Sequence, residues 1–334
     1  MFSRAKKVRI IAAFLALLFI VSTILSLSIG SGDYGFTDVI NVLLGKGTDT
    51  SKLIILEIRL PKVLCGIIVG ASLSLAGVGM QSLFRNPLAE PSILGVSSGA
   101  ALGAVIALAF CGIDFSIEIC ALISGILAAL VVCKLGGAIT KGSTLSTLLA
   151  GIAVNAFCGA IVGFFMYSAR ELGLRGYVFW SLGSLDRCDY PTLITTTLIC
   201  IPSWVLMMLS AHSLNLMLLG KQQAFHSGTN ITMVWLVAGG AATAMTASSV
   251  SACGIIGFVG LVVPHIMRIL TGADNRTLMP LSAIAGAIML LLSDSLARAI
   301  SPSDPVPIGV ITALVGAPFF AYLLVRSRKG NQDD

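Results

Sequence analysis

Charge is what this 334-residue sequence has least of: Asp, Glu, Lys and Arg together make up 11% of it, against about 25% in soluble domains. A water-soluble fold is excluded on that ground, and the 56% hydrophobic content and mean hydropathy of +0.98 point the same way. No G-x-x-x-x-G-K-[ST] string occurs; the nearest, Gly45-Lys46-Gly47-Thr48, lacks the upstream glycine. A chain without that loop does not hydrolyse ATP by P-loop chemistry. Histidine occurs three times and never as H-E-x-x-H, which excludes a zincin-type centre. The eight cysteines (Cys65, Cys111, Cys120, Cys133, Cys158, Cys188, Cys200, Cys253) form no C-x-x-C pair and stand mostly inside apolar runs. Free cysteine packs there as a small hydrophobe, so they are read as core residues, with neither a zinc site nor a disulfide framework. A basic stripe interleaved with aromatics is also missing, so the net charge of +6 does not indicate nucleic acid.

What is present is a series of apolar runs of bilayer length. About 20 apolar residues at about 1.5 Å each cross the hydrocarbon core, and hydropathy marks ten candidates: 10–29, 61–83, 93–112, 118–139, 145–168, 191–211, 232–252, 255–270, 279–300 and 306–325. The expected fold is all-α and polytopic, one transmembrane domain over 1–334 with about ten spans and no attached soluble domain. The basic stretch Arg4 to Arg9 precedes a run longer than the roughly 7–15 residues of a secretory leader core, and no A-x-A site follows it, so the run is read as a retained helix. The 255–270 run is short and contains Pro264-His265, which reads as a broken or partial span shielded by its neighbours.

An even number of spans puts both termini on one side. With the termini cytoplasmic, Arg4, Lys6, Lys7, Arg9, Arg85, Lys134, Lys141, Lys221, Arg268, Arg276, Arg326, Arg328 and Lys329 collect inside. Asp33, Asp38, Asp49, Glu57, Asp114, Glu118, Glu171, Asp186, Asp189 and Asp304 collect outside. That distribution obeys the positive-inside rule, and the expected location is the cytoplasmic membrane. Gly95, Gly99 and Gly103 share a helical face, as do Gly66 and Gly70; small residues of this kind let membrane helices approach, and structural packing is the reading adopted. Asp294 is the one acid convincingly within a span, and Arg298 follows one turn later, which reads as a locked pair. His265 is read as a structural histidine.

Several longer strings carry a family resemblance. Arg59-Leu60-Pro61-Lys62, then Val69 to Gly77, Gln81, Arg85-Asn86-Pro87-Leu88-Ala89-Glu90-Pro91 and Leu94 to Ala100, resemble the FecCD permeases of importers for iron-siderophores, haem and vitamin B12. The resemblance continues in Trp180 to Leu185, Gly257 to Arg268, Asp274 to Pro280, Pro307 to Val310 and Gly316 to Phe320, in order along nearly the whole chain.

The resemblance implies a type II ABC importer permease: ten spans, a second permease subunit, a cytoplasmic ATPase dimer that holds the ATP and Mg, and an external substrate-binding protein. No cofactor or metal is expected on this chain. It further implies that the loop at about 212–231, with Gly220, Lys221, Gln222, Gln223, Ala224, Phe225, His226 and Gly228, couples to the ATPase. The chain has Lys221-Gln222-Gln223 where family members usually carry acids, which leaves open the ATPase residues it meets. Arg59, Lys62 and Arg298 match positions that meet acids of the binding protein, with internal pairing or lipid headgroups as the alternative. Asn86, Pro87 and Leu88 together with Gly142, Ser143 and Thr144 match an inner gate, with a plain helix-ending turn as the alternative for Asn86-Pro87-Leu88. Two other classes remain in view. An ion-driven secondary transporter would need ionisable groups near mid-bilayer, and a membrane-embedded enzyme would need a nucleophile, base or metal cluster.

Overall fold

The computed structural model describes residues 4–30, 32, 34–111, 117–137, 144–168, 171–302 and 304–330. All regular structure among them is helical: α1 (Arg4–Ser28), α2 (Phe36–Leu43), α3 (Asp49–Phe84), α4 (Val96–Ile106), α5 (Ile117–Gly136), α6 (Thr144–Ser168), α7 (Glu171–Ser181), α8 (Tyr190–Leu209), α9 (Ala211–Leu219), α10 (Lys221–His226), α11 (Ile231–Cys253), α12 (Val259–Thr271), α13 (Asn275–Ile300) and α14 (Ile308–Gly330). Each of the ten apolar runs becomes one of these helices. Seven of the described helices (α1, α3, α5, α6, α8, α11 and α13) are long and apolar enough to cross a membrane, while α4, α12 and α14 have shorter apolar stretches.

The second run starts earlier than hydropathy places it. Its helix begins at Asp49, where the Thr48 hydroxyl accepts from the Ser51 amide at 3.2 Å, and passes through a π-helical stretch, Leu53–Arg59, into the span. A side-chain oxygen that takes one of the four orphan amides of a first turn favours a helix start there. It ends at Arg85, which is left-handed (φ 52), and the Asn86 carboxamide oxygen then accepts from the Leu88 amide at 2.9 Å. The helix therefore stops before Pro87.

α3 is the centre of the bundle: 83% of the residues in its most apolar window are buried, against 17% for α6. It packs on α8, α11, α12 and α13. Lipid gives no hydrophobic drive between helices, so close fit must hold them. A Cβ added to Gly70 would stand 2.4 Å from the Gly286 carbonyl oxygen, and one on Gly77 would stand 1.9 Å from that of Gly260. Gly99 and Gly103 are pressed in the same way onto the backbone of α5 at Ser124 and Cys120. These approaches display the packing role expected of Gly70, Gly99 and Gly103, whereas Gly95 stands left-handed (φ 77) just before α4 and is not on its face.

With 13 residues α12 rises only about 20 Å, short of a bilayer core of about 30 Å. It starts from Phe258, held left-handed at φ 68. Pro264 within it has no amide to give the Gly260 carbonyl. From α3, the Gln81 carboxamide nitrogen lies 3.5 Å from both the Gly260 and Leu261 oxygens, a long bifurcated contact to that released backbone. A neighbouring helix thus shields the break, as the short 255–270 run requires.

Candidate functional site

The functional groups gather at the two ends of the bundle. One end is formed by the start of the α3 span, the ends of α1, α11 and α13, the start of α14 and the 182–189 segment. That segment knits the end together: the Ser184 amide donates to the Cys253 carbonyl (2.8 Å), the Ile308 amide to Gly183 (2.9 Å) and the Gly309 amide to Leu182 (3.0 Å). Gly183 sits at φ +72 with the Ile255 oxygen 2.6 Å from where a Cβ would be, so only glycine fits that turn.

The three cations matched to docking stand at this end, and two of them are not where docking needs them. Arg59 is 4% exposed, and its Nη1 donates to the Leu27, Ser28 and Tyr34 carbonyl oxygens at 2.8, 3.2 and 3.0 Å. Leu27 and Ser28 belong to the last turn of α1, whose carbonyls have no partners within the helix. Arg298 is 7% exposed and pairs with Asp294, the Ser26 hydroxyl and the Ile29 carbonyl. Both arginines close the end of α1 instead of facing solvent, which corrects the expectation that they receive a docking protein and favours internal pairing. The reason is that a buried helix end draws in the nearest donors, and guanidinium offers five. The Asp294–Arg298 pair is locked as expected.

Lys62 is different: its ammonium meets Asp186 Oδ1 at 2.8 Å, with side chains 21% and 46% exposed. Burial pushes the Asp186 carboxyl up, but the Lys62 ammonium and the Ser184 hydroxyl outweigh it and hold the group below the usual carboxylate range. The two arginine and lysine roles separate in a melting experiment. Arg59→Ala, which orphans the carbonyls it serves, is expected to lower the thermal midpoint of the purified protein distinctly, at about 1–3 kcal/mol for buried groups left unsatisfied. Lys62→Ala removes an exposed pair of about 0–1 kcal/mol and should leave the midpoint nearly unmoved. Equal shifts would refute the distinction.

The opposite end joins the C-termini of α3 and α12, the N-terminus of α13 and the α9–α10 pair. Gly220 at φ +128 makes the corner between α9 and α10, and the Gln223 side chain lies 2.2 Å from where a Cβ would be. Ala224 is buried beneath, while Leu219 and Phe225 stand out at 65% and 68% exposed. Lys221, Gln222, Gln223 and His226 occupy α10, with Gly228 (φ +80) in the turn that follows. The loop at about 212–231 therefore folds largely as a helix pair, with a two-residue apolar knob at its corner.

This knob is wired into the bundle by Asn215 and His212, which motif reading did not single out, through the Asp274-Asn275-Arg276 start of one of the resembling strings. Asn215 on α9 donates through Nδ2 to Asp274 Oδ1 at 2.7 Å and accepts the Asn275 amide at 2.8 Å, capping α13 from a neighbouring helix. Asn275, fully buried, donates onward to the Ser82 hydroxyl of α3 at 3.1 Å. His212 meets Arg276 at 3.0 Å. The signal available in the sequence was Asp274-Asn275, an N-cap pair at the start of a helix; the partner on α9 carries no local mark.

A cavity of about 380 Å³ lies at the same end, lined by Gln81, Arg85, Asn86, Pro87, Leu218, His265, Arg268 and Ile269. It places the Asn86-Pro87 turn against the α9 of the knob. Of the other gate residues, Leu88 is partly exposed beside that turn, Thr144 opens α6, and Gly142 and Ser143 lie outside the described residues.

The literal spacing G-x-S-x-G does occur, in Gly95-Val96-Ser97-Ser98-Gly99. A hydrolase elbow needs a strand before its serine; here a 3-10 turn, Pro91–Leu94, runs straight into α4. The serine of the string, Ser97, lies in the first turn of α4, and its neighbour Ser98 is turned to the Gly95 carbonyl (3.1 Å) and to Asn155 on α6. The string is a helix start.

Comparison with known proteins agrees with this layout. The model of the FecCD transport family matches residues 18–326. The hemin transport system permease protein HmuU of Yersinia pestis is 36% identical over 333 residues, covering 96% of this chain and 97% of that protein. The vitamin B12 import system permease protein BtuC of Salmonella arizonae is 36% identical over 334 residues, with 94% of each covered. A solved structure titled as an inward-facing conformation of a metal-chelate type ABC transporter superposes with a TM-score of 0.82 at 30% identity, over 97% of this chain and 99% of that one.

Proposed function

Because this chain belongs to the FecCD transport family and is a multi-pass permease subunit of an ATP-binding-cassette importer, we propose that its cargo is an iron chelate, haem or a cobalamin-like compound, carried inward across the cytoplasmic membrane. The observation that carries this reading is the near full-length match to permeases named for hemin and vitamin B12, joined by an iron chelatin transport system permease protein of Helicobacter pylori at 38% identity over 280 residues. An importer of this kind works with an ATPase and a binding protein. The cytoplasmic ATPase dimer, with its ATP and Mg, seats on the Leu219–Phe225 knob; the binding protein seats at the Lys62 end. Both termini are cytoplasmic, supported by the excess of Lys and Arg at the knob end. A second permease subunit, the same chain or a related one, covers the exposed face of α6 and encloses the pathway.

The chain carries out no covalent chemistry. Closure of the ATPase pair pushes the knob, and the hydrogen bonds through Asn215, Asp274, Asn275 and Ser82 pass the displacement to α13 and α3, a rigid-body kind of switching. Against an ion-driven transporter stands the state of Asp294: the one acid placed within a span by hydropathy is tied to Arg298. The reading is tested by uptake into proteoliposomes holding the chain, its ATPase and its binding protein, with labelled ferric siderophores, haem and cobalamin. ATP-dependent accumulation of one of these is expected, and accumulation driven by an ion gradient without ATP would replace the reading.

A further inference from the structure

Three cysteines that lie far apart in the sequence are buried in the core, as their reading as core residues expects, and there they meet. Cys65 is on α3, Cys188 immediately precedes the Asp189 cap of α8, and Cys253 ends α11. All three are buried, at 0, 3 and 1% exposed. The Cys253 sulfur lies 4.0 Å from that of Cys65 and 3.5 Å from that of Cys188, and all three sulfurs fall within 4.8 Å of one another. Three thiolates about 2.3 Å from one ion in a trigonal plane stand about 4.0 Å apart. The separations of 3.5 and 4.0 Å, with the third within 4.8 Å, bracket that spacing, so shifts of a fraction of an ångström to under 1 Å at the side chains would form it.

We propose that Cys65, Cys188 and Cys253 form a binding site for one thiophilic d10 cation, Cu(I) or Zn(II). The donor set decides the class. It is all sulfur, and no described carboxylate or imidazole belongs to it; soft thiolates select such ions over Mg, Ca or Mn, which take oxygen. The surroundings exclude competing water, since all three cysteines are buried within the main hydrophobic core. The site joins three elements at the Lys62 end: α3, the 182–189 segment and the end of α11. One ion there braces the segment that also holds α14 through the Gly183 and Leu182 carbonyls. The site stands on geometry alone and does not depend on the cargo proposed above.

The test uses the full-length protein, purified in detergent under reductant and freed of metal, titrated separately with Cu(I) against a chromophoric chelator and with Zn(II). One equivalent of one of these ions is expected, with an X-ray absorption shell of sulfur at about 2.3 Å and a raised thermal midpoint, since a ligand of the folded state stabilises it. Cys65→Ser, Cys188→Ser and Cys253→Ser should each lose the equivalent, while Cys158→Ser and Cys200→Ser, buried elsewhere, should keep it. Metal-free melting curves of the variants, compared with wild type, separate loss of the site from loss of the fold, and the absorption shell of the wild type needs no variant at all. No uptake by wild-type protein with all its thiols titratable, or undiminished uptake by the three cluster variants, would overturn the site. So would a Cys188–Cys253 disulfide in protein isolated without reductant, if its reduction yields no metal binding.

Discussion

Asn215→Leu is expected to cut ATP-driven uptake by about tenfold or more while the folded protein is still produced and still assembles with its ATPase. Leucine has nearly the size of asparagine but neither its donor nor its acceptor. Two hydrogen bonds are then lost at once: the one Asp274 Oδ1 accepts at 2.7 Å, which leaves it the Arg276 amide, and the one the Asn275 amide donates at 2.8 Å, which leaves that amide without its acceptor. The partly buried Asn275 amide left unsatisfied costs about 1–3 kcal/mol, and a factor of ten is about 1.4 kcal/mol. The α9–α10 knob keeps its apolar anchors, Leu214 and Met217, both fully buried, so it stays attached but loses its register on α13. Uptake per ATP hydrolysed is the deciding measurement, because a residue that only stabilises the fold would lower uptake and hydrolysis together. Uptake within about twofold of wild type, or a fall with unchanged stoichiometry, would rule out the relay.

Gly77→Ala is expected to be worse still, and to act on folding instead of transport. The added methyl would stand 1.9 Å from the Gly260 carbonyl oxygen and 2.8 Å from the Gly260 Cα. Neither is the far end of a flexible side chain, so α3 and α12 must part. Overpacking ordinarily costs about 1–3 kcal/mol, but parting these helices also draws Gln81 away from the backbone released by Pro264. In lipid such a group finds no water to replace its partner. Gly240→Ala is the control: it is helical, has nothing within 4 Å of the new methyl, and gains about 1 kcal/mol of intrinsic helix preference. Size-exclusion profiles and melting curves of the two proteins should diverge sharply. A monodisperse Gly77→Ala protein melting within a few degrees of wild type would show that the contact is softer than its geometry.

Hydropathy and glycine spacing made most of the helices legible, because span length and small-residue faces are local properties of a chain in lipid. The start of α3 was missed because Thr48 is a cap whose helix begins in a segment too polar to read as membrane. Arg59 and Arg298 run against the charge trend along the sequence, and a stranded cation looks like a surface one until the end of α1 is found beside it. Asn215 and the cysteine trio escaped for the same reason: their partners lie on helices distant in sequence, and one sequence holds no trace of which helices adjoin. The corner at Gly220 was not read from the sequence, which placed that glycine only within the coupling loop, and the apolar knob it presents depends on which faces of α9 and α10 the bundle covers.

The central place of α3 has a consequence for how the chain is made. Its buried face includes Ser72, Ser74, Gln81 and Ser82, and the α12 backbone that Gln81 reaches and the Asn275 side chain that Ser82 holds emerge only after most of the protein has been synthesised. About 190 residues separate Phe84 from Asn275, which at about 5–20 residues per second is some 10–40 s of elongation. During that interval a hydroxyl-rich span waits in the membrane without the helices that complete it. Maturation of this protein is therefore a late, nearly all-at-once event, and a nascent chain stalled before α13 presents an unfinished surface for an insertase to hold or a protease to remove.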